Sequence, residues 1–108
     1  MKDAFLDLYF TVMDRRDNPV EGSYTCYLFD KGLDKILKKC GEECAETIIA
    51  AKNLDNAETI LEISDLLYHL TVLMVQQGIT PQEITDELEK RSQKSGNLKH
   101  SHDVDLNT

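Results

Sequence analysis

The stretch Ile60–Val75, which reads ILEISDLLYHLTVLMV, decides the fold of this 108-residue chain. Its apolar residues face nearly every direction of a helix, a pattern typical of a helix that is buried on most sides. Two acids and a histidine, Glu62, Asp65 and His69, interrupt it and lie within an arc of about 60° at 100° per residue. Ionised carboxylates are rarely buried unless they are paired or bind a metal. We therefore expect a partner for this acidic stripe elsewhere in the chain.

Helical patterns also fill most of the remaining chain, and no segment shows the sustained period-two alternation of a strand. We predict an all-α helical bundle of about five helices. Because the fourth helix is apolar on more faces than so small a bundle covers, we expect a homodimer to complete it. Capping residues, glycines and Pro81 place the helices as follows: about Asp3 to Arg15, Ser23 to near Gly32, Leu33 to Lys52, about Ala57 to Gln77, and Thr80-Pro81 to about Arg91.

The bulk composition predicts one acidic domain over residues 1–94 and a mobile tail over residues 95–108 that has few apolar residues. The net charge of −8 disfavours nucleic-acid binding. No apolar run reaches the ~18 residues of a membrane span. The N-terminus lacks the pattern of a signal peptide, and three cysteines are an odd number, so we expect reduced thiols and a cytoplasmic protein.

The third predicted helix carries an apolar stripe that indicates one buried face. Cys40 and Cys44 lie one turn apart within this stripe. A zinc-binding pair is the alternative interpretation, but no CxxC motif or second pair accompanies them, so we interpret both as small core residues. The stripe consists of Leu33, Ile36, Leu37, Cys40, Cys44, Ile48 and Ala51.

The centre of the third helix, KKCGEECAE (38–46), supplies the expected partner for the acidic stripe. Glu43 and Glu46 share one helix face, as do Glu62 and Asp65, because residues three apart are neighbours on a helix. A short turn makes the two helices antiparallel neighbours, so the two pairs face each other. Four converging carboxylates repel unless some stay protonated or a cation lies among them. Oxygen ligands alone select a hard ion, so we expect Mg²⁺, with Mn²⁺ as a substitute.

Simpler interpretations exist for each of these residues. An acidic pair such as Glu43 and Glu46 is also typical of a solvated face, and a lone histidine such as His69 is more often a satisfied core residue. Ser23 is a helix cap first, and Lys39 and Glu43 have the spacing of a surface ion pair worth about 0.2–0.5 kcal/mol. The acids within the apolar fourth helix favour a functional site.

Several motifs in the same order resemble the phosphoribosyl-ATP pyrophosphohydrolase family of all-α nucleotide pyrophosphohydrolases. They are ExxE (43–46) followed by ExxD (62–65), with SYT (23–25), KGLDKILKKCGEE (31–43), IIAAKN (48–53) and DLLYH (65–69). The resemblance implies hydrolysis of 1-(5-phosphoribosyl)-ATP to 1-(5-phosphoribosyl)-AMP and pyrophosphate. It also implies that Glu43 or Glu46 is the catalytic base, with Glu46 favoured. The expected metal ligands are Glu43, Glu46, Glu62 and Asp65, and the expected substrate contacts are Lys39, Ser23, His69, Arg91 and Lys94.

Three other functions fit parts of the same pattern. A house-cleaning pyrophosphohydrolase of noncanonical nucleoside triphosphates would share the carboxylates, but the SYT and DLLYH segments speak against it. A di-iron bundle needs Glu-x-x-His pairs on two helices, and the chain has none. A non-enzymatic helical dimerisation module would use buried polar groups only to fix its register, and it predicts neither metal binding nor turnover.

Overall fold

The computed structural model describes residues 3–93, and within this range it contains five α-helices and no strand. The predicted all-α class is confirmed, and the helices differ from the expected ones only at their ends. Lys94 and the tail predicted over residues 95–108 lie outside the described residues. The helices are α1 (Ala4–Asp17), α2 (Tyr24–Lys31), α3 (Leu33–Lys52), α4 (Asn56–Gln77) and α5 (Pro81–Gln93).

Polar side chains and a glycine fix where the helices begin and end. Ser23 Oγ accepts a hydrogen bond from the Cys26 N–H at 3.2 Å, which caps α2. Thr80 and Glu83 form the predicted capping box, with the Thr80 N–H donating to Glu83 Oε1 at 2.9 Å and the Glu83 N–H to Thr80 Oγ1 at 3.2 Å. Gly32 alone separates α2 from α3, with φ 91° and ψ −172°, a conformation that side chains disfavour. The chain can therefore turn sharply there.

The core lies where α1, α2 and the first half of α3 pack against the second half of α4. The Tyr9 hydroxyl donates a hydrogen bond to the Ile79 carbonyl at 2.9 Å, which ties α1 to the segment after α4. α3 and α4 form the most extensive helix pair, while α5 buries none of its residues. The buried core cluster consists of Tyr9, Val12, Leu28, Ile36, Val72 and Val75.

The α3–α4 hairpin leaves much of its apolar surface uncovered in one chain. Of the stripe predicted as the buried face of α3, Ile36 is fully buried and Cys40 is half-buried, but Ile48 is 64% exposed. Cys44 is exposed, so its prediction as a core residue is wrong for the single chain, because no described helix covers that side of α3. The exposed apolar residues of the hairpin are Leu33, Leu37, Ile48, Ile49, Leu54, Ile60, Leu61, Ile63 and Leu70.

Whether the five helices of residues 3–93 can cross a bilayer depends on their length and apolar character. None of them combines the length and the apolar character that crossing a membrane demands. The structure therefore gives no indication of a membrane span in this range.

Candidate metal centre

The α3–α4 hairpin brings acidic side chains from both helices to one place. One carboxylate oxygen from each of Glu43, Glu62 and Asp65 lies within 4.8 Å of the others. Glu46 lies near this group, and its proximity raises the pKa values of both Glu43 and Glu62. The four predicted metal-ligand candidates are thus neighbours, three of them in a close group that we call the carboxylate cluster (Glu43, Glu62 and Asp65).

Glu43 is the buried member of the carboxylate cluster, with 6% of its surface exposed. Its Oε1 atom lies 3.7 Å from the Lys39 ammonium nitrogen, one helical turn earlier. Its Oε2 atom is buried and has no hydrogen-bond partner among the described residues. Leaving a buried carboxylate oxygen unpaired costs free energy, so this atom requires a proton or a cation.

Mutual repulsion shows in the pKa values of the cluster. Burial raises the pKa of Glu43, and the nearby Glu46 and Asp65 raise it further, while Lys39 opposes the shift. The pKa of Glu62 is raised to about 7, mainly by loss of solvent contact and then by the neighbouring acids Glu46, Glu43 and Glu58. A bound divalent cation reverses this balance because it favours the ionised carboxylates. The all-oxygen donor set, the orphaned Glu43 oxygen and the repulsion therefore fit a hard cation.

His69 lies next to the carboxylate cluster but faces α2. It is buried, and its Nδ1 atom lies 2.8 Å from the Asp65 carbonyl oxygen, while its Nε2 atom lies 3.1 Å from the Tyr24 hydroxyl. A carbonyl can only accept, so Nδ1 donates to it and Nε2 accepts from Tyr24. Both ring nitrogens are therefore satisfied within the chain, and His69 connects the backbone at Asp65 with the start of α2.

The other predicted substrate contacts lie at different distances from this centre. Lys39 is half-buried; burial lowers its pKa, but Tyr24, Glu42 and Glu43 outweigh that effect and raise it. Ser23 serves as the cap of α2. Arg91 lies on α5, which does not pack substantially against α3, and forms an exposed ion pair with Glu87 at 3.0 Å.

The structure adds an acid that the sequence reasoning did not select. Glu58 raises the pKa of Glu62, and the two acids line a cavity of about 180 Å³ together with Glu46. Glu58 precedes Glu62 by one helical turn, so the i,i+4 spacing was the signal that could have identified it.

A row of tyrosines beside His69 was also missed. The Tyr24 ring stacks between those of Tyr27 and Tyr68, with centroid separations of 5.9 and 6.2 Å. The ammonium groups of Lys31 and Lys35 lie 5.7 and 5.9 Å from the centre of the Tyr27 ring. The spacings Tyr24–Tyr27 and Tyr27–Lys31 are those of neighbours on a helix face, but the contact with Tyr68 depends on how α2 packs against α4.

The known proteins whose sequences are similar to this chain belong to one family or carry related names. Residues 5–92 match the family described as phosphoribosyl-ATP pyrophosphohydrolase. A phosphoribosyl-ATP pyrophosphatase of Clostridium botulinum (strain Hall) is 58% identical over 100 residues, which cover 92% of this chain and 91% of that protein. The protein of the same name from Streptococcus thermophilus is 50% identical over 97 residues, covering 90% and 93%. A histidine biosynthesis bifunctional protein HisIE of Lactococcus lactis is 52% identical over 100 residues, or 47% of its length.

Proposed function

Because the chain belongs to the phosphoribosyl-ATP pyrophosphohydrolase family, we propose that it hydrolyses 1-(5-phosphoribosyl)-ATP to 1-(5-phosphoribosyl)-AMP and pyrophosphate in histidine biosynthesis. The observation that carries the proposal is the carboxylate cluster, whose buried Glu43 oxygen has no partner among the described residues. A purely structural acidic pair would not leave such an atom unpaired. A site for a metal–phosphate complex accounts for it, because the ion supplies the missing positive charge.

The metal in this proposal is Mg²⁺, with Mn²⁺ as a substitute, held by Glu43, Glu46, Glu62 and Asp65. When bound, such an ion offsets the charge of the phosphates and makes a coordinated water more acidic. The chain's own contribution is to hold four carboxylates on two rigid helices. Lys39 balances one charge of Glu43, which lowers the cost of keeping that buried group ionised.

We assign the general base to Glu46 rather than Glu43. Glu43 is buried and interacts with Lys39, whereas Glu46 is exposed to solvent beside the carboxylate cluster. Its carboxylate can take the proton of a water that attacks the α-phosphorus. A positioned base of this kind contributes about 10²–10⁴-fold to the rate.

The remaining predicted contacts have different roles in the proposal. Lys39 lies nearest the carboxylate cluster and is placed to donate to a phosphate oxygen. The Ser23 hydroxyl accepts from the Cys26 N–H, so its own proton is available to the substrate. Arg91 and Lys94 remain proposed phosphate contacts from the C-terminal part of the chain. His69 acts through Tyr24, because both of its ring nitrogens are occupied.

We also propose that the protein is a homodimer in which a second copy covers the α3–α4 hairpin. Apolar residues such as Ile48, Ile49 and Ile60 are 60–64% exposed there, and they continue along both helices of the hairpin. A continuous apolar face of this kind is typical of an interface. Sedimentation at micromolar concentration tests this proposal, and a 12.3 kDa species would overturn it. Ile60→Glu should dissociate the dimer, while Val20→Glu, in the loop between α1 and α2, should not.

The activity itself is tested with purified protein, phosphoribosyl-ATP and Mg²⁺ by following pyrophosphate release. We expect turnover that stops with chelator and returns with Mg²⁺ or Mn²⁺. Preferential hydrolysis of noncanonical nucleoside triphosphates would favour the house-cleaning function instead. Absence of both metal binding and turnover would favour a dimerisation module.

A further inference from the structure

Tyr24 and Tyr27 form a partly exposed aromatic surface on α2, next to α3 and α4, which we call the tyrosine platform. Their side chains belong to residues that are 45% and 41% exposed, although rings of this size are usually better covered. Tyr24 is held in place from behind by its hydrogen bond to His69 and its stacking on Tyr68. The platform is therefore fixed at Tyr24, and more than 40% of each of its two residues is open to solvent.

Two lysines border the platform at the end remote from the carboxylate cluster. The ammonium groups of Lys31 and Lys35 both lie within 6 Å of the Tyr27 ring centre, at 5.7 and 5.9 Å. Within residues 3–93, neither lysine forms an ion pair with a carboxylate, although the chain has 20 acidic and only 12 basic residues. Two cations without acidic partners in such an acidic protein are available to an anionic ligand.

The platform and the carboxylate cluster belong to one continuous surface. Tyr24 is hydrogen-bonded to His69, whose other ring nitrogen is hydrogen-bonded to the backbone of Asp65, so the platform begins next to the cluster. Lys35 precedes Glu43 by eight residues, which is about 12 Å along α3 at a rise of about 1.5 Å per residue. Two lysines thus lie at one end of the aromatic surface and the carboxylate cluster at the other, at a separation that two riboses and a purine can span.

The substrate of the proposed reaction has the matching order of groups, and the inference rests on that proposed function. Its triphosphate is followed by a ribose, a purine, a second ribose and a second phosphate. We propose that the purine stacks on the tyrosine platform and that Lys31 and Lys35 bind the phosphate of the second ribose. The lysine pair then selects a nucleotide that carries a phosphoribosyl group over ATP, which lacks it.

This arrangement assigns different tasks to the ring and to the lysines. Tyr27 contacts a purine that both nucleotides possess, so removing its ring weakens the binding of both nucleotides. The lysines contact a phosphate that only phosphoribosyl-ATP possesses, so removing their charges weakens the binding of that nucleotide alone. A loss of folding or a general change in surface charge would instead affect both nucleotides together.

The test compares kinetics with phosphoribosyl-ATP and inhibition by ATP, in the full-length protein with Mg²⁺. In the double variant Lys31→Met/Lys35→Met, we expect the KM for phosphoribosyl-ATP to rise about tenfold or more, with kcat much less affected. The inhibition constant of ATP should stay unchanged. Tyr27→Leu should raise both constants by about tenfold, and Tyr27→Phe should keep both near the wild-type values. The control Lys38→Met/Lys52→Met removes the same charge from other parts of α3 and should leave both constants unchanged.

The outcomes separate the two proposals. If the wild-type protein does not turn over phosphoribosyl-ATP, the proposed function fails and this inference fails with it. If the wild type is active and the Lys31/Lys35 variant has a wild-type KM, the inference alone is overturned. The inference would also be overturned if the Lys31/Lys35 variant raised the inhibition constant of ATP as much as the KM for phosphoribosyl-ATP. The same holds if the control pair raised that KM equally.

Discussion

The two halves of α4 both carry large apolar residues but have different surroundings. In the second half, His69, Thr71, Val72 and Val75 are buried beneath α1, α2 and α3. In the first half, Ile60 and other apolar side chains are largely exposed in the single chain. An apolar helix therefore need not be a core helix along its whole length. Here one half maintains the fold, and the other carries the carboxylates and the face that we propose for a second copy.

The largest expected effect comes from the carboxylates of the first half. Glu62→Gln and Asp65→Asn each remove one charge from the cluster while keeping the shape of the side chain. We expect kcat/KM to fall by about 100-fold or more, since even partners of metal ligands contribute 10–100-fold. The helical circular dichroism should not change. Glu42→Gln, an exposed acid next to Glu43, is the matched control, and near-normal activity in either cluster variant would contradict a shared metal site.

A core residue of the second half should affect stability instead of chemistry. Val72 is completely buried, so Val72→Ala removes two buried methyl groups and leaves a cavity. We expect a loss of about 2–3 kcal/mol in the free energy of unfolding, measured in urea at a fixed protein concentration. Leu88→Ala on α5, where the residue is 59% exposed, should change it by no more than about 0.5 kcal/mol. Equal effects of the two variants would remove the distinction between core and surface.

The stability of the metal-free protein should depend on pH because of the acids near the first half of α4. The pKa of Glu62 is raised from 4.5 to about 7 in the folded state, and that of Glu43 is raised as well. The folded state therefore holds protons that the unfolded state releases, so stability should decrease as pH rises from about 4.5 to about 7. Melting temperatures in chelator between pH 4.5 and 8 test this. Glu62→Gln should reduce the slope, and saturating Mg²⁺ should raise the melting temperature most at the alkaline end. A slope that is identical in Glu62→Gln would contradict the prediction.

Features that depend on local spacing could be predicted from the sequence, and features that depend on helix packing could not. Helix positions and the two acidic pairs depend on local spacing and capping, and the structure has them where the sequence analysis expected them. Burial depends on which helix covers which face, so the exposed Cys44 and Ile48 were placed wrongly in the core. The Tyr24–His69 hydrogen bond joins residues 45 positions apart, and no local pattern indicates such a contact.

The smallest expected effect concerns the turn that leads into the first half of α4. Leu54 has φ 58° and is 88% exposed, so it holds a left-handed conformation that disfavours a branched side chain without gaining burial in the single chain. Leu54→Asn should raise the free energy of unfolding by up to about 1 kcal/mol, because asparagine tolerates this conformation and keeps more backbone restriction than glycine.

The measurement for this turn variant is urea unfolding, with Asp55→Ala as a comparison. Asp55 caps α4 by accepting from the Glu58 N–H at 3.1 Å, so its removal should cost about 1 kcal/mol. The two variants therefore act in opposite directions at adjacent positions. If Leu54→Asn instead destabilises the protein, and does so more at higher protein concentration, the Leu54 side chain is covered by the second copy. The dimer face would then include the turn between α3 and α4 as well as the two helices.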